Sequence, residues 1–185
     1  MKKLSILFLL ISSFAFAQVV YVPSKITFKN GKVMDAKILF GIKRGNVDVL
    51  DEHDITDVFI RTGEKNGKYV KYPVADVKQV EFVDLQNRKR TFKWVAAYRN
   101  LVEVKYQGKI SWYRLFSRLD NTTQMTDYLQ KGNDQRIVLS LFSDNKKNLE
   151  ALTSDKPELV PLIEKINYNN FKEEDLLEVL KKYND

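Results

Sequence analysis

From Val19 to about Phe142 the chain is a succession of short runs in which apolar and polar residues alternate with a period of two, cut at close intervals by tight-turn residues. That pattern predicts β-strands joined by hairpins. Lys25-Ile26-Thr27-Phe28 runs into Asn30-Gly31, the strongest short hairpin signal, and continues as Val33 to Phe40. Gly41 and Gly45 mark a turn, followed by Val47 to Leu50 and Asp57 to Thr62. After the turn Gly63 to Gly67 come Lys68 to Val74 and Val77 to Val83, with Pro73 placing a bend or edge between them. Further strands are Arg90 to Val95, Leu101 to Tyr106, Ile110 to Phe116, Met125 to Gln130 and Arg136 to Phe142.

Around Asp144 the period changes to three and four. Asn145 to Leu152 predicts a short helix. Ser154 or Asp155 can cap a second that gathers Leu159, Leu162, Ile163 and Ile166, and Asn170 and Glu173 can cap a third carrying Leu176, Val179, Leu180 and Tyr183. Strands followed by helices, with no βαβ alternation, predict an α+β fold. The expected form is an antiparallel, strongly curled sheet, a sandwich or partly closed barrel, followed by two or three C-terminal helices.

The first residues, MKKLSILFLLISSFAFAQ, have the layout of a secretory signal peptide: Lys2 and Lys3, an apolar run from Leu4 to Ile11, and Ala15-Phe16-Ala17 before Gln18. The expected organisation is therefore a signal peptide over 1–17, an antiparallel β domain over 18–143 and a helical segment over 144–185 packed on it. The expected location is periplasmic or secreted, with no transmembrane span after cleavage. Cysteine is absent, which rules out disulfides and a lipid-anchored N-terminal cysteine. The core must hold this chain together, and the 168 residues left when the 17 of the leader are taken from 185 suffice for one. Loss of Lys2 and Lys3 takes the formal net charge from +7 to +5, with acidic residues interspersed throughout. That mild excess suits loose attraction to anionic surfaces and lacks the dense field of a nucleic-acid binder.

The Leu101–Tyr106 and Ile110–Phe116 runs predict a hairpin about Gly108-Lys109, of type II′ with Gly first, pairing Val104 with Tyr113 and Val102 with Leu115. Ile110, Trp112, Arg114 and Phe116 then share the other face with Gln107, Lys105, Glu103 and Leu101. Trp beside Arg is a composition enriched in binding hot spots, so Trp112, Arg114 and Phe116 form a candidate contact surface. The preferred alternative buries this face under the C-terminal helices, which need somewhere to place Leu159, Ile163, Val179 and Leu180.

The stretches YPVADVKQVEF and RTFKWV around a polar turn, then TDYLQKGNDQRIVLSL, then KPELVPLIEKI and a short final helix, resemble small uncharacterised exported bacterial proteins with β-hairpins ahead of a helical tail. The resemblance implies the β-then-α order. It implies no activity and gives no residue a role.

His53, the only histidine, lies in Asp51-Glu52-His53-Asp54 with Asp57 close by. Four consecutive residues cannot converge on one ion, so this stretch reads as a polar turn between strands and no metal site is assigned; calcium would be the next choice. No cofactor motif or nucleophile with a positioned base is present. Paired carboxylates stay open to any chain rich in Asp and Glu, so a carboxylate-dependent hydrolase ranks third. Arg88, Lys89, Arg90 and Lys93 form the densest positive cluster, either a solvated hairpin tip or a site for phosphate groups of a lipid headgroup or polysaccharide. In GKYVKYPV, Val70, Tyr72 and Val74 would face the core, which splits the apparent basic face between the two sides of the strand. The leading expectation is a non-enzymatic exported module binding a protein or anionic envelope component. A carrier holding a small apolar ligand in a barrel-like cavity is the alternative.

Overall fold

The computed structural model describes residues 19–43, 48–65, 68–120, 122–133, 135–140, 144–168 and 170–185. The proposed leader, the Gly45 turn, the start of the Val47 run and Leu141–Phe142 lie outside the described residues.

Ten strands form one antiparallel sheet: β1 (Val19–Phe28), β2 (Val33–Gly41), β3 (Phe59–Lys65), β4 (Lys68–Pro73), β5 (Val77–Val83), β6 (Lys89–Val95), β7 (Asn100–Tyr106), β8 (Ile110–Leu119), β9 (Thr122–Lys131) and β10 (Gln135–Leu139). Their order is β10-β9-β8-β7-β6-β5-β1-β2-β3-β4. Hairpins account for every neighbour except β2 with β3 and β1 with β5. From the edge strand β4 the chain turns through a 3₁₀ turn at Val74–Asp76 and enters β5 on the far side of β1. The α+β class stands, but the strongly curled, sandwich-like or partly closed sheet does not. β4 and β10 end the sheet as separate edges, and it remains open. Helices roof one of its faces, so no second layer of strands is needed to bury the apolar side chains.

Registers Val22↔Ile38, Ile26↔Val80, Val80↔Phe92, Trp94↔Leu101 and Trp112↔Leu129 put the apolar member of each alternation on the same side. Two clusters form there. Under β1–β3 and β5–β6 lie Ile26, Ile38, Phe40, Ile60, Val80 and Phe92, joined by Phe116 of β8. Under β8 and β9, Ile110, Trp112 and Leu129 pack with Leu149, Ile163, Leu176, Val179, Leu180 and Tyr183 of the helices.

The roof over the first cluster was not foreseen. His53–Thr56 forms a single helical turn, α1, which brings Ile55 into the core at no measurable exposure. The Thr56 hydroxyl donates to the Phe116 carbonyl at 3.0 Å, and the Asn100 amide donates to the Thr56 carbonyl at 2.8 Å. The residues read as a polar turn thus lie across the sheet and touch both of its halves.

Over the second cluster lie α2 (Asn145–Leu152), α3 (Val160–Lys165) and α4 (Glu173–Asn184). Asp144 caps α2 by accepting from the Lys147 amide. The second expected cap is not used: a 3₁₀ turn at Pro157–Leu159 leads into α3, and Asp155 instead accepts from Lys131 and from the Tyr183 hydroxyl. Leu176, Val179, Leu180 and Tyr183 are buried on one stripe of α4, as their spacing predicts.

In the β7–β8 hairpin Val104 pairs with Tyr113 and Glu103 with Arg114 as expected, but a bulge then places Tyr106, not Lys105, opposite Trp112. Gly108 does not have the positive φ of a type II′ turn; among the described glycines only Gly31 and Gly132 do. A Cβ at Gly108 would run into the Asn184 carboxamide, so close approach is what requires glycine there.

Candidate functional site

The residues singled out for binding go to different places. Trp112 and Phe116 are buried in different clusters, Trp112 under the helices and Phe116 against Phe92, at 5.9 Å between ring centroids. Neither is a contact surface. Arg114 donates to both oxygens of Asp127, at 2.8 and 2.9 Å, and to Glu173 at 2.6 Å. Burial disfavours its charge, yet the two carboxylates hold its pKa above the usual arginine value.

Arg88, Lys89, Arg90 and Lys93 do not form one patch, because consecutive strand residues point to opposite sides. Arg90 is buried at the centre of three carboxylates. Its Nε donates to Glu103, Nη1 and Nη2 lie 3.3 Å from Glu52, and Nη1 lies 3.3 Å from Asp84. Arg88 folds back on Asp84, whose other oxygen accepts from the amides of Gln86 and Arg88 and so staples the β5–β6 turn. Lys89 is exposed, and Lys93 reaches Gln107 at 2.8 Å.

The acidic stretch around His53 is likewise committed. Asp51 accepts from Arg118 and Thr123, at 2.7 and 2.6 Å. Glu52 pairs with Arg90 and Lys43, and Asp54 with Arg61 and the Gly41 amide. These carboxylates diverge to β8, β9, β6, β3 and β2 instead of converging on an ion. Burial opposes the charge of Asp51, but Thr123, the His53 amide and Arg118 hold its carboxyl below the usual carboxylate range.

The covered face is therefore filled, and its charges are matched. The other face is open at the middle of β1, β2, β5 and β6, whereas over β7–β9 Tyr98 packs on Tyr113 and Tyr128 and Val102 is buried. Pro23↔Lys37 and Val83↔Lys89 are cross-strand pairs, and Ser24↔Phe82 sets Pro23 opposite Val83. One row across β2, β1, β5 and β6 thus reads Lys37, Pro23, Val83, Lys89. The next reads Asp35, Lys25, Glu81, Thr91. Together they line an open groove of about 850 Å³. Lys25, Lys37 and Lys89 are exposed, and none makes an ion pair with a described residue. Lys93 of β6 adds a positive charge beside the groove, while Lys71 and Arg136 lie on the two edge strands, Arg136 over the Tyr98 and Tyr128 rings. Apolar side chains also reach the surface of this face: Val33 is 52% exposed, Val83 45% and Tyr21 40%.

In GKYVKYPV, Val74 is buried and Val70 and Tyr72 are half-buried, while Lys68, Tyr69 and Lys71 are exposed at the sheet edge. Lys89 and Lys93 are the two earlier candidates that the open face retains. Lys25, Lys37, Glu81 and Val83 carried no signal in the sequence. Each is an ordinary outward residue of its strand, and only the adjacency of β1 and β5 gathers them.

No family model matches this chain, and neither a curated protein nor a solved structure matches it.

Proposed function

We propose that this chain is an exported, non-enzymatic module that binds a component of the cell envelope through the open face of its sheet. Export rests on the leader pattern of residues 1–17. The observation that carries the binding role is the groove between β2 and β6, where the exposed Lys37 and Lys89, with no ion pair among the described residues, flank Pro23 and Val83, and Lys25 lies in the next row between Asp35 and Glu81. On the opposite face arginines and carboxylates are mutually matched, which fits a structural role. A carrier would hold its ligand in an enclosed apolar cavity, and here the interior is packed with Phe40, Phe92, Trp112 and Phe116. A carboxylate hydrolase has less support, because the inward acids Glu52, Asp84, Glu103 and Asp127 are gripped by arginine.

The test is co-sedimentation of the purified chain with isolated bacterial envelopes. Wild type is expected to pellet with them, and a Lys25→Gln, Lys37→Gln, Lys89→Gln variant, which adds no carboxylate to the row of Asp35 and Glu81, to stay in solution with a thermal midpoint close to that of wild type. Equal pelleting of both proteins would overturn the open-face reading.

A further inference from the structure

We infer that the groove between β2 and β6 seats the headgroup of an anionic phospholipid at a membrane surface. This rests on the open-face reading above and names its partner.

Three observations point there. First, Lys37 and Lys89 stand at the ends of one row four strands wide, about 14 Å apart at the usual strand spacing, with Lys25 in the next row between them. Lys37 and Lys89 make no ion pair with a described residue and can reach a phosphate from both ends of the row, while Lys25 stands between Asp35 and Glu81 and shares its charge with them. Second, the floor between the lysines is Pro23 and the exposed Val83, with Tyr21 and Val33 farther along the same face. Aliphatic side chains beside lysines match the boundary between headgroups and acyl chains, where cations meet phosphate and apolar groups meet hydrocarbon. Third, Asp35 and Glu81 line the groove as hydrogen-bond acceptors. They suit a headgroup that carries hydroxyls as well as phosphate, and they disfavour a polymer bearing negative charge at every residue.

Lys93, two residues along β6 from the groove residue Thr91, lies on the same side of the sheet and would approach the leaflet with the groove. No described helix is long and apolar enough to cross a membrane, and the contact inferred here is peripheral.

The experiment is sedimentation of the exported form, residues 18–185, with phosphatidylcholine vesicles made with and without phosphatidylglycerol. The expected result is binding to the phosphatidylglycerol vesicles alone, weakening as salt is raised. Each lysine near an anionic leaflet strengthens binding roughly fivefold, so Lys25→Gln, Lys37→Gln, Lys89→Gln together should lose about a hundredfold. The matched control, Lys147→Gln, Lys165→Gln, Lys181→Gln, changes net charge equally on the exposed helices and should bind as wild type does. An equal loss in both triple variants would reduce the effect to net charge and overturn the site. So would binding of wild type to a soluble anionic polysaccharide that phosphatidylglycerol vesicles fail to displace. Pelleting with envelopes but not with phosphatidylglycerol vesicles overturns the lipid inference alone. Failure with both overturns the open-face reading as well.

Discussion

Trp112 Nε1 donates to Asp127 Oδ1 at 2.9 Å, and Arg114 grips both oxygens of that same carboxylate. One acid therefore orients the largest side chain of the second core cluster and also neutralises a cation at its margin. Lys105 and Arg114 both reach Glu173 in the first turn of α4, which fixes that helix over the indole. Trp112→Ala is expected to cost about 3–5 kcal/mol, as large aromatic truncations in cores do. Trp112→Phe keeps most of the apolar contact and loses a hydrogen bond to a charged group, about 1.5–3 kcal/mol. Urea denaturation of the two variants checks the order, and a wild-type midpoint for Trp112→Ala would show that the helices do not seal this face.

Arg90 holds three carboxylates that arrive from separate places: Glu52 ahead of α1, Asp84 from the β5–β6 turn and Glu103 from β7. Removing it would leave buried acids uncompensated. Arg90→Met is expected to destabilise by about 3–5 kcal/mol, the usual result of breaking a buried pair from one side. Arg90→Lys should recover little of this, since one ammonium cannot reproduce a planar fork that spans three partners. Full recovery with lysine, measured by thermal and urea unfolding, would mean that charge alone matters at this position.

Acid should loosen the fold by a definable route. Burial opposes the charges of Asp51, Asp84 and Glu173, yet their hydrogen bonds and ion pairs hold all three below their ordinary values of 3.8, 3.8 and 4.5. The partners are Thr123 and Arg118 for the first, Arg88 and Arg90 for the second, and Lys105 and Arg114 for the third. A carboxyl whose pKa is lower folded than unfolded contributes fully above its unfolded value and loses that contribution as pH falls through the folded one. Stability should accordingly be level above about pH 5 and decline below about pH 4. Asp51→Asn should lower the midpoint at neutral pH and make the acid decline shallower. An unchanged acid slope in that variant would remove Asp51 from this account.

Several hairpins were legible because their turn chemistry is local. Asn30-Gly31 joins β1 and β2 with Gly31 at φ 86, and Gly132 at φ 60 lies in the turn between β9 and β10. α1 was not legible, since four residues within Asp51 to Thr56 give no period to read. Nor was the burial of Arg90, because the run Arg88-Lys89-Arg90 looks solvated until strand alternation sends its middle residue outward and its last inward. Strand order was the main loss. β1 lies beside β5 through contacts some fifty residues apart, such as Lys25↔Glu81, and no local signal encodes them. The groove is built across that seam, so it was hidden for the same reason.

Gly108 and Asn184 make the last test, because they join the β7–β8 hairpin to the C-terminal end of α4. The Asn184 carboxamide oxygen accepts from the amides of Lys109 and Ile110, and its nitrogen donates to the Leu180 carbonyl at 2.6 Å. Gly108 leaves room for that carboxamide and is not held at positive φ, so an alanine there would meet a steric obstacle without backbone strain. Gly108→Ala should push Asn184 out, leave two turn amides to water, and cost about 1–3 kcal/mol. In an Asn184→Ala background the same change should cost less than about 0.5 kcal/mol, because its obstacle is gone. Equal costs in the two backgrounds, measured by a double-mutant cycle in urea, would show that the glycine serves the turn itself and that the helix end is not locked to it.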